Sequence, residues 1–198
     1  MGDRLISSRR LASSLGVVAL IAVLALSATP VRAAEPDPGA VELVDMFAEV
    51  CLQKFPDDAA VRQFAAEKRL DVMPAERLHQ VLGTDPGEGW LRNTERGQYV
   101  LTVEMPPYHT CAIRKTDTKP PDFLAPLSLL LGMWAATLPG ATLMQSPAQT
   151  AQVSGIPSQV YSWKLNHGPG KPVETLMAIV TTAAGKTQVR LVRQIKIE

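Results

Sequence analysis

The 198-residue chain has little of what usually carries chemistry: three histidines and two cysteines. His79, His109 and His167 fall on different predicted elements with no second ligand at helical or turn spacing, so no metal site is expected. No G-x-S-x-G elbow occurs, which removes the usual nucleophile turn of a serine hydrolase. Neither G-x-G-x-x-G nor G-x-x-x-x-G-K occurs, and Gly168-Pro169-Gly170-Lys171 reads as a turn, so no cofactor is expected either. There is no internal repeat and no long low-complexity linker.

A charge excess is lacking as well. Twenty basic and 19 acidic residues nearly balance. Without residues 1–33 the totals become 16 and 18, a net charge of about −2. A nucleic-acid binder needs a basic surface to displace counterions from phosphates, so nucleic acid is not an expected partner.

What is present begins with a leader. Arg4, Arg9 and Arg10 precede an uncharged run from Leu15 to Leu26, followed by Thr29-Pro30-Val31-Arg32-Ala33. This is the layout of a secretory signal peptide, with Val31 and Ala33 at the small-residue positions before a cut after Ala33. The run of about 12 residues is shorter than the ~20 a membrane span needs, so cleavage is favoured over retention as an anchor. Ser8-Arg9-Arg10 has the look of a twin-arginine signal, but Ala12 stands where a bulky apolar residue is expected, which favours general secretion. No cysteine directly follows the run, which argues against a lipoprotein. The expected organisation is a signal peptide at 1–33 and a single domain at 34–198, with no transmembrane segment in the mature chain.

In an oxidising compartment two cysteines leave none unpaired, and Cys51 and Cys111 are expected to form a disulfide. Closing a loop of about 60 residues would stabilise the fold by about 4 kcal/mol in the chain-entropy model.

Glu35 to Ala40 reads as an extended lead-in. Val41, Val44, Phe47, Ala48, Cys51, Leu52 and Phe55 then recur at helical spacing, with Cys51 on the apolar side. Pro56 ends this helix, and Asp57 or Asp58 caps a second that runs to about Lys68 with Val61, Phe64 and Ala65 inward. Pro74 opens a third, with Leu78, Val81 and Leu82 as its stripe and Gly83 as its stop, before a turn-rich Thr84–Gly89. From Gln98 the period becomes two, and the segments up to Glu104 and from Tyr108 to Ile113 read as an antiparallel pair.

Phe123 to Leu138 holds no charged residue in sixteen positions. Leu129, Leu130 and Met133 join Leu124, Leu127, Leu131 and Trp134 on its several faces, which predicts a buried central helix covered nearly all round, capped by Asp122 and stopped by Pro139-Gly140. A short strand at Ala141–Met144 and a polar loop at Gln145–Gly155 follow, then strands over Val160–Leu165, Val173–Thr182 and Val189–Ile197. In the last of these Arg193 interrupts the apolar face and is expected at its edge. His167 reads as a solvated loop residue, and Glu42, Asp45 and Glu49 as a solvated helix face. The predicted class is α+β: N-terminal helices and an antiparallel sheet of about five to six strands packed on the apolar helix, which the N-terminal helices help to enclose.

Val50-Cys51-Leu52 on a helix, Gly97-Gln98-Tyr99-Val100-Leu101 on a strand and Thr110-Cys111-Ala112 on another make a layout that resembles small uncharacterised exported proteins of Gram-negative bacteria. The resemblance covers about the first half of the mature chain. It implies a periplasmic address and transfers no activity.

The functional expectation is therefore a non-enzymatic binding or envelope-accessory module, its partner a protein or envelope component. Two alternatives compete with it. One is a small hydrolase with a site assembled from dispersed residues around Trp90, Tyr108 and His109, for which His109 held against a carboxylate would be the signature. The other is membrane association through the 123–138 helix.

Overall fold

A computed structural model describes residues 37–116 and 122–197. The leader, the cut after Ala33 and the connection through 117–121 lie outside the described residues.

The first helix starts earlier than its apolar periodicity suggests. Asp37 accepts a hydrogen bond from the Gly39 N–H at 2.9 Å and Pro38 supplies a pre-organised first turn, so α1 spans Pro38–Phe47 where an extended lead-in was expected. A π-helical turn, Ala48–Leu52, continues it. In α2, Asp58–Glu67, the cap is Asp57, which accepts from the N–H groups of Ala59 and Ala60. A two-residue strand β1, Asp71–Val72, precedes α3, Ala75–Leu82, which ends at Gly83 with φ of 67°.

The strands β2 (Gly87–Thr94), β3 (Gly97–Glu104) and β4 (Tyr108–Thr116) form a meander. After α4, Leu124–Ala136, come β5 (Thr142–Gln145), β6 (Gln149–Val153), β7 (Ile156–Asn166), β8 (Glu174–Ala183) and β9 (Lys186–Lys196). All nine described strands belong to one antiparallel sheet in the order β1-β2-β3-β4-β9-β8-β7-β5, with β6 also paired to β7. The class is α+β as predicted, with three more strands than the upper expectation.

One face of the sheet carries the main core. Leu101, Cys111, Ile113, Trp163, Leu165, Leu176 and Leu191 meet Leu43, Phe47, Val50, Cys51, Val61 and Phe64 from α1, the π turn and α2, and Phe123, Leu127 and Leu131 from α4 and its lead-in. The disulfide joins the two layers: Cys51 and Cys111 are bonded, both fully buried, with Cα atoms 5.5 Å apart.

The opposite face holds a smaller cluster of Ala112, Val160, Ile179 and Val192. It also receives α3, which sequence reasoning had placed beside the apolar helix. Leu78 and Met73 come so near Gly89 that an added Cβ would lie 2.9 Å and 3.2 Å from their side chains, and Leu82 would lie 2.6 Å from a Cβ at Gly87. Gly89 pairs with Thr102, whose side chain points away from that of Leu101. These glycines let α3 pack on the sheet, and they also hid β2 as a turn.

With α3 on the far side, α4 is not enclosed. Leu127, Leu131 and Ala135 are buried and Leu130 packs on the core, but Leu129 is 65% and Met133 56% exposed. The helix has Phe123 at its N-cap with no side-chain cap bond, so Asp122 does not play the role expected of it. Among the described residues no helix is long and apolar enough to cross a membrane.

Candidate functional site

Trp90, Tyr108 and His109 do not form one site. Trp90 is buried on β2, in register with Leu101 of β3. Tyr108, the first residue of β4, is 52% exposed, while its neighbour His109 turns to the core side, as alternation requires. His109 does meet a carboxylate: its Nε2 lies 2.8 Å from Asp58 Oδ1, at the start of α2. The ring stands edge-on to Phe55 with centroids 4.4 Å apart. Among the described residues no hydroxyl or thiol is hydrogen-bonded to this histidine. The arrangement ties α2 to β4.

A larger polar network lies beside it. Arg193, expected at the edge of its strand's apolar face, is buried in the middle of the sheet, in register with Cys111 on one side and Leu176 on the other. Its Nε and Nη2 donate to the two oxygens of Glu174 at 2.6 and 3.1 Å, and its Nη1 donates to the carbonyls of Phe55 at 2.7 Å and Cys51 at 3.0 Å. The guanidinium lies 4.9 Å from the Trp134 ring centroid and 5.5 Å from that of Phe55. His167 Nε2 is 2.8 Å from Glu174 Oε1, the oxygen that also accepts from Arg193 Nη2, so this histidine is part of the network and not a solvated loop residue. Here the carbonyls left open by the π turn find their donor.

The third feature is a cavity of about 390 Å³ on the α3 face of the sheet. Gly97, Gln98 and Val100 of β3, Arg114 and Thr116 of β4 and Gln188 of β9 line it, with Arg77 and Val81 of α3 and Arg96 of the β2–β3 turn. Alternation explains the set. Cys111 and Ile113 point to the main core, so Arg114 points to the other face, where it is in register with Val100 and Arg190.

Among the described residues no acidic side chain lines this cavity. Arg77 donates to the Gln98 side-chain oxygen, which fixes that side chain, and Arg96 lies at the rim with Nη1 3.8 Å from Glu42. Arg114 is only 7% exposed, and its Nη1 is buried with no hydrogen-bond partner among the described residues. Burial, and after it the neighbouring positive charge of Arg190, push its pKa down from its ordinary value to about 9, with Glu104 opposing. Glu104 itself bonds Arg190, at 3.3 Å.

Glu42, read from the sequence as part of a solvated helix face, is drawn inward by Tyr99. The buried phenol donates to Glu42 Oε2 at 2.8 Å, and Arg92 lies 3.9 Å from the other carboxylate oxygen.

None of the arginines of the cavity was singled out by sequence reasoning. The available signal was the alternation itself, continued one residue past Ile113. The sheet thus carries α1, α2 and α4 on one face and α3 on the other, with the arginine-lined recess on the α3 side. No protein-family model matches the chain, and no curated protein matches it in sequence.

Proposed function

We propose that this is an exported protein of the bacterial periplasm that acts as a binding module without chemistry of its own, its ligand presenting an anionic group to the arginine-lined cavity. The observation that carries the reading is Arg114: a guanidinium buried beside a second arginine, lining a recess where, among the described residues, its Nη1 has no hydrogen-bond partner and no carboxylate forms part of the wall. Burying such a charge with only Glu104 nearby to offset it is costly, and natural sequences retain such costs at sites where a ligand supplies the counter-charge. The buried disulfide and the tripartite leader support the periplasmic address.

The test has two parts. Intact mass of protein recovered from a periplasmic extract should correspond to a chain starting at Ala34, and Met1 retained in a membrane pellet would defeat the address. The melting temperature should rise with small polyanions beyond what chloride of equal ionic strength produces. A hydrolase reading would rest on His109 and Asp58, and ester hydrolysis that disappears in Asp58→Asn while the fold persists would replace the binding reading with it.

A further inference from the structure

Resting on that reading, we propose that the anionic group is a phosphoryl group, a phosphomonoester carried on a larger molecule, seated on Arg114 and clasped by Arg77. The lining points to this class in three ways. First, the charges come from three elements: Arg77 from α3, Arg96 from the β2–β3 turn and Arg114 from β4. A tetrahedral group offers oxygens in several directions, whereas a lone carboxylate is planar and has two. Second, the described lining carries three positive charges and no negative one, which suits a group bearing close to two negative charges at neutral pH. All three are arginines, whose planar forks hydrogen-bond phosphate oxygens in pairs. Third, Val81 and Val100 add an apolar wall, and about 390 Å³ lies within the usual range for pockets that hold small organic ligands, about 300 to 1,000 Å³.

Gln98 positions one of the donors. Its side-chain oxygen accepts from Arg77 while its Nε2 donates to Asn93 Oδ1 at 2.9 Å, so the Arg77 side chain is held before any ligand arrives. Arg114 is the desolvated anchor. A phosphoryl group beside its guanidinium would offset the repulsion from Arg190.

The same chemistry can come from a soluble phosphate ester or from a phospholipid whose headgroup is a phosphomonoester. The experiment uses protein expressed from the full-length sequence and exported by its host. It is titrated calorimetrically with glycerol 3-phosphate, inorganic phosphate and citrate at matched ionic strength, and floated with phosphatidylcholine vesicles with and without phosphatidic acid. Glycerol 3-phosphate or phosphatidic acid should bind, and the soluble ester or the vesicle arm, whichever responds, identifies the source. Arg77→Gln should weaken that binding by roughly tenfold or more with an unchanged melting temperature. Arg114→Met should abolish binding and at the same time raise the melting temperature of the unliganded protein, which removal of a merely structural arginine would not do.

If citrate binds as tightly as the phosphate compounds or more so, the phosphoryl assignment falls and the anion-binding reading stands. If none of these anions binds, both fall. Should Arg114→Met fail to fold, Arg77→Gln decides, and unchanged affinity there overturns the assignment.

Discussion

Arg193 grips Glu174 with two nitrogens on two oxygens, diagonally across β8 and β9, and both side chains are only 7% exposed. Removing either partner leaves the other charge buried. Glu174→Gln or Arg193→Met should therefore destabilise by about 3 to 5 kcal/mol, a large share of the net stability of a domain this size. Arg193→Met should be the worse of the two, because it also strips the donor from the carbonyls of Cys51 and Phe55. Urea denaturation of both variants checks the size and the order.

That pair marks where sequence reasoning stops. A lone arginine in an alternating strand looks like an edge residue, since nothing local shows that a carboxylate 19 residues earlier and a helix end 138 residues earlier will converge on it. What is legible is what repeats. The period of two from Gln98 gave β3 and β4, and Cys51 on the apolar side of its helix gave the disulfide partner of Cys111. The missed strands are those without a clean alternation. In β2, Gly87 and Gly89 replace outward side chains so that α3 can approach, and β6 (QTAQV) is a mostly exposed edge strand with little apolar patterning. The arginine cavity was hidden for the same reason as Arg193, because Arg77, Arg96 and Arg114 meet only once the β2–β3–β4 register is known.

The disulfide links residues 60 apart and lies inside the core, so it acts on the unfolded chain and on the packing between layers. Cys51→Ser should cost about 4 kcal/mol from loop closure alone. Thiol labelling of the native, unreduced protein should find no reactive cysteine, and quantitative labelling would contradict the bond.

In α4 three neighbouring leucines give a graded test. Leu131 is buried, and Leu131→Ala should cost about 2 to 5 kcal/mol through lost packing. Leu130 packs against the core while partly exposed, and its truncation should cost less. Leu129→Ala should fall within about ±0.5 kcal/mol, as surface changes do. Equal and large costs at all three would mean that the exposed face is covered in solution.

Tyr99 and Glu42 predict how stability responds to alkali. Burial is the main cause that raises the Tyr99 pKa well above its ordinary 10, and the hydrogen bond to Glu42 is the next. The native state therefore keeps the phenolic proton at pH values where the unfolded chain has released it, and this contribution, fully present below about pH 10, is lost as pH rises further. At neutral pH, Tyr99→Phe should cost about 1 to 3 kcal/mol, because the phenol is fully buried and donates to a carboxylate. Above about pH 10 the wild type loses the proton-linked part and the phenylalanine variant has none to lose, so the difference between them should shrink. Other titrating groups are common to both proteins and cancel in the comparison. Urea unfolding of the two proteins at about pH 8 and about pH 11 measures it. A difference that stays constant between the two conditions would mean that Tyr99 ionises as readily in the fold as in the unfolded chain, and that the buried bond to Glu42 does not hold its proton.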